Sequence, residues 1–549
     1  MYDIKNGLWY FMGKKNKKSG GSFVKQAAIL AAASMLVRLL GFVYRVPLTN
    51  MIGDEGNGIY AAGYYIYTFF LILSSSGLPA AISKMISEKV ALGEYKNANK
   101  IFRVSLFTAG TLGLIGTAVM FFGAEWLANV IGSPRSVYTL ISLAPTVFIC
   151  AIMSVYRGWF QGLNTTVPTA VSQVVEQIFN AFFSVYLAWL LIGYGIEMGA
   201  AGGTMGTGIG ALAGLIAIVI FSVVTKKHYK DMFSADKGGY AVEEGRKIAV
   251  RLFKTAVPII TGTAIFSMTN LIDMKMVMTR LAAGGFTSQQ ADILYGQLTG
   301  KYVTLTTLPV SISTALATAV LPNIAASVVM KDKAAVKAKV NTSLRLTMII
   351  SIPAAIGMGA LADQILHLLF PSYPEGGELL AIGAISIIFL ALYQIETGIL
   401  QGMGKVYIPA VNALIGALIK IPLNYVLIVI PSVNVKGAVI STIGCYIVAA
   451  LLNMYALKKA AGIKYDFVSI LLKPLIASLI MGAGCLGIYK LLYMVLPYNS
   501  ICTIFAILAA IVIFVIALAL MKGFKREDLI LLPMGRKMIG ILERFKLID

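Results

Sequence analysis

Acidic residues are scarce in this chain: 24 Asp and Glu stand against 46 Lys and Arg, and charged residues make up only 13% of 549 positions. With 58% hydrophobic residues, so little charge excludes a soluble globular protein of ordinary makeup. Histidine and cysteine are scarcer still. The two histidines, His228 and His367, lie far apart at loop edges, so neither a zinc site nor a His-based triad is supported. The four cysteines, Cys150, Cys445, Cys485 and Cys502, fall inside apolar runs without paired spacing, which argues against disulfide, redox or metal chemistry. Phosphate-binding glycine loops, DxD-like acidic clusters and nucleophile elbows are missing from any suitable context. No ATPase domain is visible, and no cofactor is expected beyond a coupling Na+ or H+.

What fills the chain instead is a series of long apolar runs. Fourteen candidate spans, each near the roughly 20 residues that cross a bilayer, cover about 23–47, 58–82, 104–128, 137–160, 167–193, 200–225, 255–280, 294–328, 342–366, 379–402, 406–430, 436–458, 468–495 and 501–521. The expected fold is an all-α, multi-pass integral membrane protein. Pro79 interrupts the second span and Pro309 and Pro322 the eighth, which predicts kinked helices. The net charge of +22 suggests nucleic acid at first sight, but the basic residues sit in loops between spans. Placing the N-terminus and every even-to-odd connection inside leaves only Arg135, Arg280, Lys436 and Lys490 outside, as the positive-inside rule requires. Both termini are therefore expected in the cytoplasm, and no nucleic-acid partner follows.

Residues 1–22 are a basic cytoplasmic segment rather than a cleavable signal, because Lys14, Lys15, Lys17 and Lys18 precede a long apolar helix without a small-residue cleavage site. Leu8 to Phe11 would rest on the membrane surface. The chain then repeats itself. Span four ends in Gln161-Gly162 and a turn to Pro168; span ten ends in Gln401-Gly402 and a turn to Pro409. Span six opens Gly199-Ala200 with Thr204 and Gly206, and span twelve opens Gly437-Ala438 with Thr442 and Gly444. A unit of six spans keeps one orientation, so two six-helix lobes form a parallel repeat. The expected organisation is an N-lobe over 23–225, a basic cytoplasmic linker over 226–254, a C-lobe over 255–458, two further spans within 459–522 and a basic amphipathic tail over 523–549. That tail would lay Leu529, Leu532 and Ile539 against lipid.

With the other Lys and Arg assigned to the two sides, five cations remain in the membrane: Arg38, Arg45, Lys275, Lys301 and Lys420. Arg38 and Arg45 are one heptad apart, within about 20° of one face and about 10 Å along the axis. Each costs on the order of 3 kcal/mol at mid-bilayer, so this face is expected to look into a wet or anion-filled cavity. Arg45 could instead snorkel near Pro47 while Arg38 pairs with a neighbouring helix. Against the cations stand Glu176, Asp273 and Glu396. If all face one cavity its balance is positive, and a diphosphate fits because separate Arg and Lys donors replace water around several oxygens. The structural alternative is pairwise neutralisation, for example Lys420 with Glu176 or Lys275 with Asp273. Amide faces, Gln173, Gln177 and Asn180 on span five and Asn412 and Asn424 on span eleven, are expected to bond between helices. Tyr60, Tyr64, Tyr65 and Tyr67 are expected to form an outer interfacial belt.

With these residues in place, the chain resembles the multidrug/oligosaccharidyl-lipid/polysaccharide (MOP) exporter superfamily. The six plus six plus two plan, the run Arg38-Leu-Leu-Gly41-Phe, the stretch from Gly63 to Glu88 with Leu78-Pro79-Ala80-Ala81, and the Gln-Gly turns carry the resemblance. It is similar to the polysaccharide biosynthesis branch that includes lipid II flippases of MurJ/YtgP type and stage V sporulation protein B. The resemblance implies a two-lobed flippase moving an undecaprenyl-diphosphate-linked saccharide, the peptidoglycan precursor lipid II, from inner to outer leaflet by alternating access. It implies that the first helix bends, with Gly41 and Pro47 as hinge, and that the last two helices make a groove for the lipid tail. Arg38 sits on the family's first-helix arginine, Arg45 one position from the second, and Lys301 about one turn from a basic residue of span eight; a second-helix arginine of Gram-negative members is replaced by the Leu73-Ser74-Ser75 region.

The expected substrate ligands are thus Arg38, Arg45, Lys275, Lys301 and Lys420. Coupling candidates are Glu176, Asp273, Glu396, Asn424 and Thr442, with Asp273, Asn424 and Thr442 as a cation site. Expected partners are a polyprenyl-diphosphate-linked saccharide and membrane lipids, with the protein a monomer and no metal bound. Flipping of another polyprenyl-linked repeat unit, cation-coupled drug export and membrane glycosyl transfer are the other readings.

Overall fold

The computed structural model describes residues 19–525 apart from 235, 237, 239, 463 and 464. The surface segment at Leu8 to Phe11, the lysines from Lys14 to Lys18, and Leu529, Leu532 and Ile539 of the tail lie outside the described residues. Within them the chain is helical and has no strand, and each of the fourteen expected spans is helix. Ten helices among the described residues are long and apolar enough to cross a bilayer, or eleven when Gly377–Gly383 and Ser386–Gly402, bent by 41°, count as one span. In order, the long elements are α1 (Ser19–Leu71), α2 (Leu78–Leu92), α3 (Tyr95–Phe122), α4 (Val137–Gly162), α5 (Val167–Leu191), α6 (Ile196–Ser234) and α7 (Gly245–Ala283). They continue as α8 (Ser288–Gly296), α9 (Thr304–Val329), α10 (Lys333–Ala360), α11 (Ser386–Gly402), α12 (Tyr407–Leu427), α13 (Lys436–Ala461), α14 (Lys473–Val495) and α15 (Asn499–Leu520).

Two of the expected spans share α1. Gly53, at φ 69° and ψ −176°, breaks the helix at a conformation that only glycine takes up readily, so the chain leaves span one and enters span two without a loop. The Asn57 amide donates to the Gly53 carbonyl at 2.9 Å and steadies the break. Span two then passes through a π-helical stretch, Ile72–Ser76, before restarting at Leu78-Pro79. Ser74 and Ser75 donate to the carbonyls of Phe70 and Leu71 there, at 2.9 and 2.6 Å, which satisfies backbone oxygens inside an apolar medium. In span eight the irregular stretch is again π-helical, Gln297–Val303, upstream of Pro309 rather than at it.

By packing, the chain divides into two compact units, one through Thr279 together with Ser288–Gly296, the other Arg280–Thr287 and Gln297 onward. The stretch expected as linker, 226–254, carries the last turns of α6 and the first turns of α7. In the first unit, small residues let backbones touch, as is usual where lipid supplies no hydrophobic drive. Gly202, Gly206, Gly210 and Gly214 run down α6 so closely against α5 that added Cβ atoms would meet α5 backbone atoms at 2.5, 2.2, 2.5 and 3.0 Å. Gly158 and Gly162 do the same for α4 on α2, at Ile82 and Ile86. The second unit repeats that last device: Gly398 and Gly402 of α11 lie against Ala317, Leu321 and Ile324 of α9. The matching glycine pairs are the physical form of the sequence repeat. The last two helices pack together through Met481, Cys485, Ala506 and Phe514 with Ile349 of α10. All four cysteines are free.

Candidate functional site

The cationic face of α1 belongs to the first unit. Gly41 lies on it, facing α5, where an added Cβ would stand 3.5 Å from Nε2 of Gln177. Arg38, one turn earlier, is exposed and has no hydrogen bond or ion pair among the described residues. Arg45, one turn later, is held: its Cζ stands 4.6 Å from the centroid of Tyr60. Tyr60 stacks on Tyr64 at 5.7 Å and 15°, and Tyr64 meets Tyr67 at 5.6 Å. The break at Gly53 makes this possible by folding the start of span two back along the end of span one.

Tyr60 and Tyr67 therefore do not form an interfacial belt as expected. Tyr60 is fully buried and Tyr67 nearly so, because they supply an aromatic wall against the first helix. A guanidinium over an aromatic face is stabilised by about 0.5–2 kcal/mol without a counter-ion, so the positive charge persists. α1 passes Gly41 and Pro47 within one helix; its departure from helical geometry is at Gly53.

Glu176 on α5 is paired, but with Arg157 of α4 and not with Lys420. Arg157 Nη2 donates to Glu176 Oε2 at 2.7 Å and its Nε to Ser172 Oγ at 3.0 Å. Arg157 falls within the expected span 137–160, near its inner end, but is not among the five cations singled out there; α4 continues to Gly162 and carries Arg157 inside the helix. Asp273 of α7 is half-buried near Tyr65 and Tyr295, while Lys275, two residues on, is exposed without a partner among the described residues. The intramembrane charges of this unit are thus Arg38, Arg45, Arg157 and Lys275 against Glu176 and Asp273.

In the second unit Lys301 is not presented to solvent or ligand. It is 1% exposed, and its Nζ donates to the carbonyls of Tyr373 and Glu375 at 2.6 and 2.8 Å, pinning the loop after Phe370 to the π-helical stretch. Its expected place among head-group ligands is corrected to that internal bond in this conformation: a buried ammonium needs its donors satisfied, and two carbonyls do so. Lys420 is half-buried on α12. Glu396 is fully buried with no hydrogen bond to either carboxyl oxygen among the described residues, so it adds nothing to an exposed acidic lining. Thr442 donates to its own helix at the Ala438 carbonyl, 2.7 Å away, and Asn424 is buried on α12. Asp273 belongs to the first unit and Asn424 and Thr442 to the second. Two of the five amides bond between helices: Asn412 donates to Asn453 of α13 at 2.8 Å, and Asn180 accepts from Thr207 of α6 at 3.4 Å, whereas Oε1 of Gln173 is buried with no hydrogen bond among the described residues.

A further charged cluster lies in the first unit at the start of α8. Arg135 contacts Glu55 at 2.5 Å, Glu197 at 2.7 Å and Asp292 at 3.4 Å, and Gln289 donates to Glu55 at 3.0 Å. Below it the backbones nearly touch: an added Cβ at Gly58 would lie 2.0 Å from the Asp292 carbonyl oxygen, and one at Gly296 1.7 Å from that of Asp54. Burial pushes the Asp292 carboxyl up to about 7, opposed by Arg135 and reinforced by Glu55 and Glu197.

Many apolar helices in a duplicated plan, with cations and acids set inside the spans, define a polytopic membrane transporter and not an enzyme. Comparison with known proteins makes this specific. Residues 23–328 match the family described as polysaccharide biosynthesis protein, more than half of the chain, and the protein belongs to that family. Residues 302–426 also match the MatE family. Among curated proteins of Bacillus subtilis (strain 168), stage V sporulation protein B is 28% identical over 442 residues, covering 80% of this chain and 84% of that one. The lipid II flippase MurJ of the same organism is 28% identical over 471 residues, 83% of this chain and 85% of that one. A solved structure of a lipid II flippase MurJ in an inward closed conformation superposes with a TM-score of 0.67 at 16% identity, over 89% of this chain and 98% of that one. The fold is that of the MOP superfamily.

Proposed function

We propose that this protein is a flippase for an undecaprenyl-diphosphate-linked saccharide, lipid II or a closely related precursor, carried from the inner to the outer leaflet of the bacterial cytoplasmic membrane by alternating access. The observation that carries the reading is the pair on α1. Arg45 is fixed on the Tyr60–Tyr64 stack without a carboxylate, and Arg38, a heptad away on the same face, is exposed without an acid partner. Two guanidinium groups about 10 Å apart on one face suit an extended polyanion better than a single charge. Lys275 adds a further free ammonium, and Lys420 is a candidate from the second lobe. Membrane topology follows the loop charges, with both termini inside and the chain acting as a monomer.

The cargo's identity between lipid II and another polyprenyl-linked repeat unit is the finer part of the proposal; the relatives named for lipid II flipping and for sporulation are equally similar at 28%. Coupling, to Na+ or H+, is proposed at Asp273, the half-buried carboxylate of α7 beside Tyr65 and Tyr295. Gly41 and Pro47 remain the proposed flexing points of α1, Pro47 because it removes an amide donor from the helix. The MatE match favours a second reading, cation-coupled drug export. That reading needs an acidic lining, which the pairing of Glu176 and the enclosure of Glu396 weaken.

The test is rescue of cells depleted of their lipid II flippase. Expression of this chain is expected to restore growth, and Arg38→Ala to abolish rescue while leaving membrane insertion intact. Drug-susceptibility profiles separate the export reading, and unchanged covalent structure of the lipid-linked sugar separates glycosyl transfer. Rescue by Arg38→Ala at wild-type level would remove that arginine from the mechanism.

A further inference from the structure

A recess of about 790 Å³ opens in the first unit between the first turns of α3 and of α7. That volume falls in the range of small-molecule sites, about 300–1,000 Å³. Lys96, Lys100 and Arg103 line it from α3 and Arg246 from α7, and no carboxylate of a described residue lines it. The three α3 cations recur at intervals of four and three residues and so share one helix face. Of the acids nearby, Glu94 and Glu243 hold Lys89 at 2.7 and 2.6 Å, Glu244 faces Lys247 at 3.5 Å, and Asp236 feels the charge of Lys96. Asp236 accepts from the backbone N–H of Lys96 at 3.0 Å and from the Tyr240 hydroxyl.

These bonds also build the wall. Asn97 accepts from the Glu243 N–H at 2.9 Å and donates to Glu94 at 2.9 Å, which fastens the segment before α7 to the start of α3. Four cations therefore line a prepared space in which no carboxylate of a described residue stands.

Depth decides what kind of anion fits. The cations occupy the turns of α3 that precede its apolar run, spanning about 10 Å along the axis. Val104 and Phe107 continue the same recess about one turn deeper, and Phe107 is 79% exposed. Charge above and hydrocarbon below, on one helix face, repeats the layering of a phospholipid. A soluble phosphate needs no apolar floor.

We propose that this recess binds an anionic membrane phospholipid, its phosphodiester headgroup held by Lys100, Arg103 and Arg246 and an acyl chain lying along Val104 and Phe107. Basic pockets between membrane helices are suited to such headgroups. The site is separate from the residues assigned to transport, so it stands or falls independently of the cargo.

The experiment uses the full-length purified protein, titrated in detergent with phosphatidylglycerol or phosphatidylcholine, with bound lipid counted by native mass spectrometry. The wild type is expected to prefer phosphatidylglycerol. The triple variant Lys100→Gln, Arg103→Gln, Arg246→Gln is expected to weaken that binding at least about tenfold. A charge-matched control at exposed lysines elsewhere, Lys331→Gln, Lys333→Gln, Lys405→Gln, is expected to bind as the wild type does. Millimolar inorganic phosphate should leave the bound lipid in place. If the triple variant does not fold, Arg103→Gln and Phe107→Ala carry the test singly, each with a loss of about threefold or more. Equal binding of the two lipids, wild-type binding by the recess variant, equal loss in the control, or displacement by free phosphate would each overturn the proposal.

Discussion

Lys301 and Asp292 show how much a single side chain's role depends on what surrounds it. A lysine inside a span reads as a ligand by default, because its charge is costly in lipid; here two carbonyls answer that charge. Lys301→Met is therefore expected to lower thermal stability by about 1–2 kcal/mol, since it leaves two part-buried carbonyls without their donor. Melting in detergent together with transport checks this: unchanged melting with lost transport would return Lys301 to the substrate. Asp292 supplies a pH prediction. Its folded pKa is raised to about 7 above an ordinary carboxyl value, so the protonated form favours the fold. Stability from this group is complete below about pH 4 and falls as pH rises through about 7, by roughly 3 kcal/mol between pH 5 and 8. Melting temperatures across that window should decline in the wild type and flatten in Asp292→Asn.

At the level of elements, two glycines decide geometry that no apolar pattern records. Gly53→Ala is expected to destabilise by about 1–3 kcal/mol, because its φ of 69° with extended ψ is a region essentially reserved for glycine. The same change should weaken transport more than Gly41→Ala does, since it displaces Tyr60 from Arg45. Gly58→Ala puts a methyl group 2.0 Å from the Asp292 carbonyl oxygen, so α8 must move and a loss of similar size, about 1–3 kcal/mol, is expected in melting. Helix existence was legible throughout: each of the fourteen expected spans is helix, although ten or eleven helices among the described residues are long and apolar enough to cross a bilayer. Breaks were half legible. Pro79 marks the restart of span two, but in span eight the prolines drew attention away from Gln297–Val303, where the irregular turn lies. Small and polar residues such as Ser74 and Ser75 accommodate a π turn without the signature that proline leaves.

For the whole molecule, loop charge makes a direct prediction of orientation. In a cysteine-free background, Lys490→Cys is expected to react with a membrane-impermeant maleimide on intact cells, and Lys405→Cys only after permeabilisation; both side chains are exposed. The reverse pattern would invert the topology and, with it, the direction of flipping. The candidate site was partly legible. Arg38 and Arg45 stand out because two charges at heptad spacing are conspicuous in an apolar run, whereas Arg157 is a single charge near the inner end of its span, and its pairing with Glu176 shows only in the packing of α4 on α5. By itself the sequence determined the class, the spans, the repeat and the surplus of positive charge, because hydropathy, glycine spacing and loop charge act locally along the chain. Tertiary structure alone decided which charges are already answered: Arg157 takes Glu176, backbone carbonyls take Lys301, and Tyr60 takes Arg45. Pairing depends on distances of a few ångströms between helices far apart in sequence, and no periodicity within one helix encodes them.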